Sequence, residues 1–321
     1  MRMGRCFFVF WCLICWFRCF GQFVPWKLDE DGNLLAADDL RAVLDRQISF
    51  YVKVCGHVNA SGYPIWIANA FADGQCRAAG LAVLPGIGPS QALQALIAYL
   101  SLSPSNVSQS LHGDVSNLCT LLARYIMKET LTPAYFAWPS VPRSTGISSF
   151  PITVSAQGDA LFGPDTIEPD KSAMAGYALG IYSKTFEDVE ARNMSIHIAR
   201  VLAKNMRLDA GQHLAPWSFR VNARTGVSYY AKMSNSAYVL RLLDFCVEEF
   251  DCDDLVVARD FLRNWIIKYQ IYSGPDPESS LFVGFFEDFI DTDEVNRFEA
   301  FSLFLFFLYK CQIEIAGALW N

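Results

Sequence analysis

Residues 168–207 read EPDKSAMAGYALGIYSKTFEDVEARNMSIHIARVLAKNMR, and this stretch decides the fold. After Pro169 the apolar residues recur at helical spacing. Met174, Tyr177, Ala178 and Ile181 share one face, and Met194, Ile198, Val201 and Leu202 share a face of a second helix. A short acidic turn joins the two. Helices on so tight a connection form a hairpin, and a hairpin buries its apolar stripes by stacking on neighbouring hairpins.

The rhythm returns downstream in Val239, Leu240, Leu243 and Val247, and again in Leu255, Ala258, Leu262, Trp265, Ile266 and Tyr269. The hairpins starting near Ser172 and Asn235 are about 60 residues apart, with long loops in equivalent places, which is the spacing of an α/α repeat. Upstream, Ala37–Val54 carries a stripe of Leu40, Val43, Leu44, Ile48 and Tyr51. Gln91–Leu102 and Val115–Lys128 also read as helices, separated by Ser-Pro-Ser-Asn near 103–106. Residues 132–170 are punctuated by Pro133, Pro139, Pro142, Gly146, Pro151, Gly158, Gly163, Pro164 and Pro169, so they predict a long loop region. A second loop spans 207–234. Period-two alternation is nowhere prominent and no G-x-G-x-x-G or P-loop string occurs, which argues against a β-sandwich or a dinucleotide-binding fold. The expected class is all-α, with hairpins closing into an (α/α) toroid whose long loops gather on one face.

The N-terminus has Arg2 and Arg5, an apolar run from Cys6 to Phe17, Arg18, and small residues at Cys19 and Gly21, the pattern of a secretory signal peptide over residues 1–21. The run is 12 residues long, whereas a spanning helix needs about 20, so a stable membrane span is not expected. Residues 22–321 then form a single domain, destined for the extracellular space or the lumen of the secretory pathway. Removing Arg2, Arg5 and Arg18 takes 26 basic residues to 23 against 33 acidic ones, so the net charge moves from -7 to -10. That balance repels phosphate backbones and disfavours nucleic acid as a partner.

Cys55, Cys76, Cys119, Cys246, Cys252 and Cys311 remain after cleavage, an even number in a compartment that permits disulfides. The pairing is open, although Cys246 and Cys252 stand close enough to staple a helix end to its loop. No C-x2-C pair remains, and His57, His112, His197 and His213 show no metal spacing, so neither a metal nor an organic cofactor is expected. Triplets of the N-x-[ST] type at Asn59, Asn106 and Asn193 predict surface glycosylation sites.

Three strings hold the candidate chemistry. In GPDTIEPDKSAM, Asp165, Glu168, Asp170 and Lys171 cluster before a helix. Capping by Asp170 or Ser172 explains them, and so does a carboxylate acting as acid, base or acceptor for a sugar hydroxyl. In HLAPWSFRVNARTGVSYY, residues 213–230, Trp217, Phe219, Arg220, Asn222, Arg224 and Tyr229 fall close together. Such residues form a core with ion pairs, or they stack on a pyranose and bond its hydroxyls and carboxylates. In GFFEDFIDTDE, Glu287 and Asp288 lie among phenylalanines, whose desolvation raises a carboxyl pKa as a general acid requires. Asp291, Asp293 and Glu294 read as a solvated turn. His197 falls inside a helix as a structural residue, and His213 lies beside Trp217 in the loop.

These strings, with LTPAYFAWPSVPRST at 131–145 and SNSAYVLRLLDF at 234–245, resemble the six-hairpin glycosidase-like superfamily over roughly residues 115–290. The ring of that superfamily hosts hydrolases, polysaccharide lyases and epimerases alike. The resemblance implies a glycoside hydrolase acting on an extracellular polysaccharide or oligosaccharide, with Glu168, Asp170, Glu287 and Asp288 as catalytic candidates. Lys171, Trp217, Arg220, Asn222, Tyr229 and Trp138 are the substrate-binding candidates. Inverting hydrolysis needs its two carboxylates about 6.5–9.5 Å apart. Two alternatives stand beside it. One is a uronate lyase or epimerase in which Tyr229 or Tyr230 moves the C5 proton and Arg220 neutralises the carboxylate. The other is a glycan-binding scaffold without catalysis, favoured if the acidic candidates prove to be salt-bridged caps away from a cleft. The chain departs from the resemblance in having fewer predicted helices than a ring of six hairpins and an aromatic-rich tail at 297–320, so the ring is expected to be incomplete at its C-terminal end.

Overall fold

The computed structural model describes residues 40–54, 87–102, 109–144, 165–228 and 235–271. The predicted signal peptide at 1–21 and the tail at 297–320 lie outside them. The described part is mostly helical. Helix α1 (Leu40–Ser49) widens into a π-type turn at Phe50–Val54, and α2 (Ile87–Leu100) precedes α3 (Gln109–Glu129). Two hairpins follow, α4 (Pro169–Phe186) with α5 (Val189–Lys204), and α6 (Ser236–Phe250) with α7 (Val256–Trp265), which continues as a π-type turn through Ile266–Ile271.

Helix α4 organises the rest. Sequence periodicity gives it one apolar stripe, yet Ala173, Ala175, Ala178, Leu179 and Tyr182 are all buried, as are the polar Asp170, Ser172 and Ser183. Only Lys184 and Thr185, in its last turn, are exposed, so α4 is a core helix over most of its length, and it packs against α2, α3, α5 and α6. Its small residues permit that crowding. A Cβ on Gly176 would sit 2.8 Å from Leu242 Cδ2 and 3.1 Å from Ile198 Cγ2; one on Gly180 would sit 2.6 Å from Phe245 Cε1 and 2.9 Å from Ser195 Oγ. Helices α5 and α6 therefore close on the same glycine ridge. The core that results is continuous, running through Leu93, Leu122, Ile126, Leu179, Ile198, Leu202, Leu242 and Leu262.

The two hairpins turn alike. Each first helix ends on an acidic residue in the left-handed conformation, Glu187 (φ 55°) after α4 and Asp251 (φ 54°) after α6, whose N–H returns to a carbonyl of the last turn, Ser183 and Cys246 respectively. Asp188 caps α5 by accepting from the Ala191 N–H at 2.9 Å, and Asn235 caps α6 by accepting from the Ala237 N–H at 3.2 Å. The bridge suggested between Cys246 and Cys252 is not formed: both are free thiols, as is Cys119. The Cys252 N–H donates to the Cys246 carbonyl at 3.2 Å, so the backbone itself closes this corner. Burial pushes the Cys119 and Cys246 thiols up to about 12, well away from thiolate chemistry.

No helix among the described residues is long and apolar enough to cross a membrane. The first helices of the hairpins stand side by side, α4 touching both α2 and α6. The only regular strand pairing among the described residues is a two-residue antiparallel pair, β1 (Thr166–Ile167) with β2 (Val221–Asn222), registering Thr166 on Asn222 and Ile167 on Val221. Strands this short carry no period-two signal in sequence. They nevertheless pin the loop before α4 to the loop after α5.

The glycine ridge makes a prediction of sign. Gly180→Ala brings a Cβ into Phe245 and Ser195 and destabilises the protein by about 1–3 kcal/mol, despite the better helix propensity of alanine. Gly113→Ala in α3 meets nothing within 4 Å and stabilises by about 0.5–1 kcal/mol. Denaturant midpoints of the two variants check both signs.

Candidate functional site

Trp138, Glu168, Trp217, Arg220 and Asn222 fall in a loop layer built from residues 130–144, 165–168 and 205–228, and Asp170 and Lys171 begin α4 beside it. The first segment is ordered by its own side chains. Thr132 Oγ1 donates to the Trp138 carbonyl at 2.6 Å and accepts from the Val141 N–H at 3.0 Å. Arg143, buried, donates to the carbonyls of Glu129, Thr130 and Leu131 at 2.8–3.3 Å, closing the C-terminal end of α3 with a cation. His197 of α5 bonds the Pro139 carbonyl through Nε2 at 2.9 Å, a structural tie as the sequence suggested. Ser144 Oγ accepts from the Glu168 N–H at 3.0 Å, and Ser172 Oγ donates to the Pro142 carbonyl at 2.8 Å.

That last bond corrects the capping assignment. Neither Asp170 nor Ser172 caps α4. The N-cap position belongs to Glu168, whose side chain makes no capping bond, and Pro169 occupies N1. Glu168 Oε1 instead accepts from Arg220 Nε at 2.8 Å, with only 2 % of either residue exposed. The Arg220 guanidinium also lies 4.2 Å from the Phe219 ring centroid. Asp170 is fully buried and pairs with Lys171 Nζ at 2.6 Å. Burial raises the Glu168 carboxyl above its ordinary range, and the neighbouring Asp170 adds to this, while Lys171 and Arg220 pull the other way. Desolvation is the largest of these effects, so the pair fixes position more than it stabilises.

The other candidates divide. Asn222 is a turn residue: its Oδ1 accepts from the backbone N–H groups of Arg224 and Thr225, both at 3.0 Å, ahead of Gly226 at φ 77°. Trp217 is buried and donates from Nε1 to the Leu202 carbonyl at 3.1 Å. Trp138, also buried, is held by its N–H on the Ala223 carbonyl at 2.9 Å. The two tryptophans line one recess of about 100 Å³, with Arg207, Ser218, Gly226 and Ser228. Asn193 is exposed on α5, and His213 is exposed with Nε2 3.1 Å from Gln212. Glu287, Asp288, Tyr229, Asn59 and Asn106 lie outside the described residues. Among those described, no group of three or more His, Cys, Asp or Glu side chains could hold a metal ion.

Sequence reasoning passed over Arg207, Ser218, Ser228 and Tyr135. Tyr135 is 81 % exposed and packs edge-on against Phe136, over which Arg224 lies while pairing with Asp165 at 3.1 Å. Its position in LTPAYFAW was the available signal. Arg207 had none, because its place depends on the chain doubling back so that its N–H reaches the Pro216 carbonyl at 3.0 Å.

Comparison of the sequence with protein-family models and with curated proteins finds no match. The chemistry of the loop layer therefore rests on its own geometry.

Two consequences of the buried pair are measurable. Glu168→Ala leaves the Arg220 charge buried without its carboxylate and lowers the unfolding free energy by about 3–5 kcal/mol, read from denaturant titration. A carboxyl raised in the folded state favours folding below its unfolded pKa and loses that contribution as pH climbs through its own. The melting temperature of the wild type accordingly falls as pH rises above the ordinary 4.5, and Glu168→Gln, which stays neutral, lacks that part of the slope.

Proposed function

We propose that this chain is a secreted glycan-binding protein of the α/α-hairpin type, in which Glu168 and Asp170 are structural and carbohydrate is held on the loop layer. The observation that carries this reading is the contrast between the two kinds of candidate. The carboxylates that would have to reach a glycosidic bond are sealed in ion pairs, 2 % and 0 % exposed, while Tyr135 stands 81 % exposed in the loop whose Trp138 walls the recess. A general acid needs access to the proton it gives, and neither carboxylate has it. An exposed aromatic needs only a sugar face to stack on. The resemblance noted in the sequence supports carbohydrate as the ligand and further hairpins continuing towards a ring.

Hydrolysis would instead have to draw on Glu287 and Asp288, and lyase or epimerase chemistry on Tyr229. The full secreted protein, run by affinity electrophoresis through gels containing neutral or acidic polysaccharides, is expected to be retarded by at least one polymer. Tyr135→Ala should weaken that retention about tenfold with the melting temperature unchanged, a loss of the size expected for one aromatic stack. Neither reducing ends nor unsaturated products should appear. Reducing ends that vanish in Glu287→Gln would contradict this reading and restore a hydrolase, and unsaturated products that vanish in Tyr229→Phe would point to a lyase.

A further inference from the structure

Helix α4 lies between α2 and α6, and one arginine reaches across it. Arg241 of α6 lays its guanidinium on the Tyr177 ring of α4, 3.8 Å from the centroid, and donates from Nη1 to Gln94 Oε1 of α2 at 3.4 Å. Gln94 is itself tied down, donating from Nε2 to the Ser90 carbonyl at 3.3 Å. A free arginine side chain carries about 2 kcal/mol of rotamer entropy. One already fixed over a ring binds a partner at a lower entropic cost.

Arg200 shows what such a fork does with a carboxylate in reach: its Nε and Nη2 bond the two oxygens of Asp254 at 2.7 and 3.0 Å. The same edge of Arg241 is vacant. Among the described residues its Nε and Nη2 make no hydrogen bond and no ion pair, and both atoms are open to solvent although the residue as a whole is half-buried. Asp244, one turn further along α6, is engaged by Arg263 at 2.6 Å. Around the vacant edge stand aromatic rings. Tyr238 and Phe245, both half-buried, lie one turn before and one turn after Arg241 on the same face of α6. Phe245 also packs edge-on against Tyr177 with centroids 5.2 Å apart.

We infer that the Nε–Nη2 edge of Arg241 is a binding site for a single carboxylate, that of a uronic acid whose ring lies against the aromatics of α6. Two parallel N–H groups match the two oxygens of a carboxylate through paired bonds. An aromatic ring suits the apolar face of a pyranose. One negative charge answers one guanidinium, whereas a dianion would bring a surplus charge onto a chain of net charge -7. The uronic acid rests on the glycan-binding reading, and the anion site stands on Arg241 itself.

The test titrates the full chain with sodium glucuronate, glucose, sodium acetate and sodium sulfate at constant ionic strength, following the melting temperature. Glucuronate should raise it saturably and glucose should not. Arg241→Gln should weaken the glucuronate response at least tenfold. Arg241→Lys keeps the charge and the stem over Tyr177 but loses the paired edge, and should weaken the response several-fold, which decides the matter even where Arg241→Gln does not fold. An undiminished response in either variant, or none in the wild type, would overturn the site. Acetate or sulfate acting as well as glucuronate would overturn the uronic acid assignment in favour of a site that reads charge alone. Glucuronate bound through Arg241 by a protein that no polysaccharide retards would uphold the site and defeat the glycan reading. Retention that depends on Tyr135 without any glucuronate response would do the reverse, so the two fail separately.

Discussion

The ion pair between Glu168 and Arg220 is the constraint on which the loop layer depends. It joins residues 52 apart in sequence, both nearly without solvent, one at the start of α4 and the other just before β2. Around it the β1–β2 pair, the Glu168 N–H on Ser144 and the Asp165–Arg224 pair bind three separate loops into one layer. A charge pair this dry gains little net stability from its attraction. What it supplies is registry: with the guanidinium committed to Glu168, the segment 217–222 has one way to lie against the entry of α4. The two tryptophans then face the same recess because Trp138 is hydrogen-bonded to Ala223 and Trp217 to Leu202.

Beneath that layer, a second constraint acts through volume. Gly176 and Gly180 bring α5 and α6 onto α4 at distances that admit no Cβ, and the resulting core leaves α4 exposed only in its last turn. The hairpin geometry and the loop layer are coupled, since α4 begins at the ion pair and ends at the Glu187 turn. Movement of the helix along its axis would open both. The same coupling explains why acidic residues at the head of α4 are buried: the helix enters the core at its first turn, so Asp170 is enclosed as soon as the helix begins.

The helices were legible in the sequence because apolar periodicity is a local signal. Both hairpins and the capping Asp188 and Asn235 fall where that rhythm and its punctuation put them. The burial of α4 beyond its apolar stripe was not, since alanine, glycine and serine read as a weak face until neighbours press against them. The functional residues divide in the same way. EPDK and FRVNA attracted notice as clusters of charge and aromatics, and they prove to be mutual partners, with Asn222 absorbed in a turn. No composition rule separates an arginine that has found a carboxylate from one that has not. Arg207 becomes visible only when the loop after α5 folds back and leaves its Nη1 unbonded beside two serines.

The account turns on Glu168 and Arg220 being a structural pair rather than a catalytic acid and its substrate clamp. The most direct measurement replaces both at once, Glu168→Met with Arg220→Met, and follows the melting temperature together with glycan retention. The account predicts that the double variant folds, melts within a few degrees of the wild type, and still binds, because an apolar pair of similar volume substitutes for a buried ion pair. A double variant that melts like the wild type but has lost all binding or turnover would show that these two side chains meet the ligand, and would contradict it.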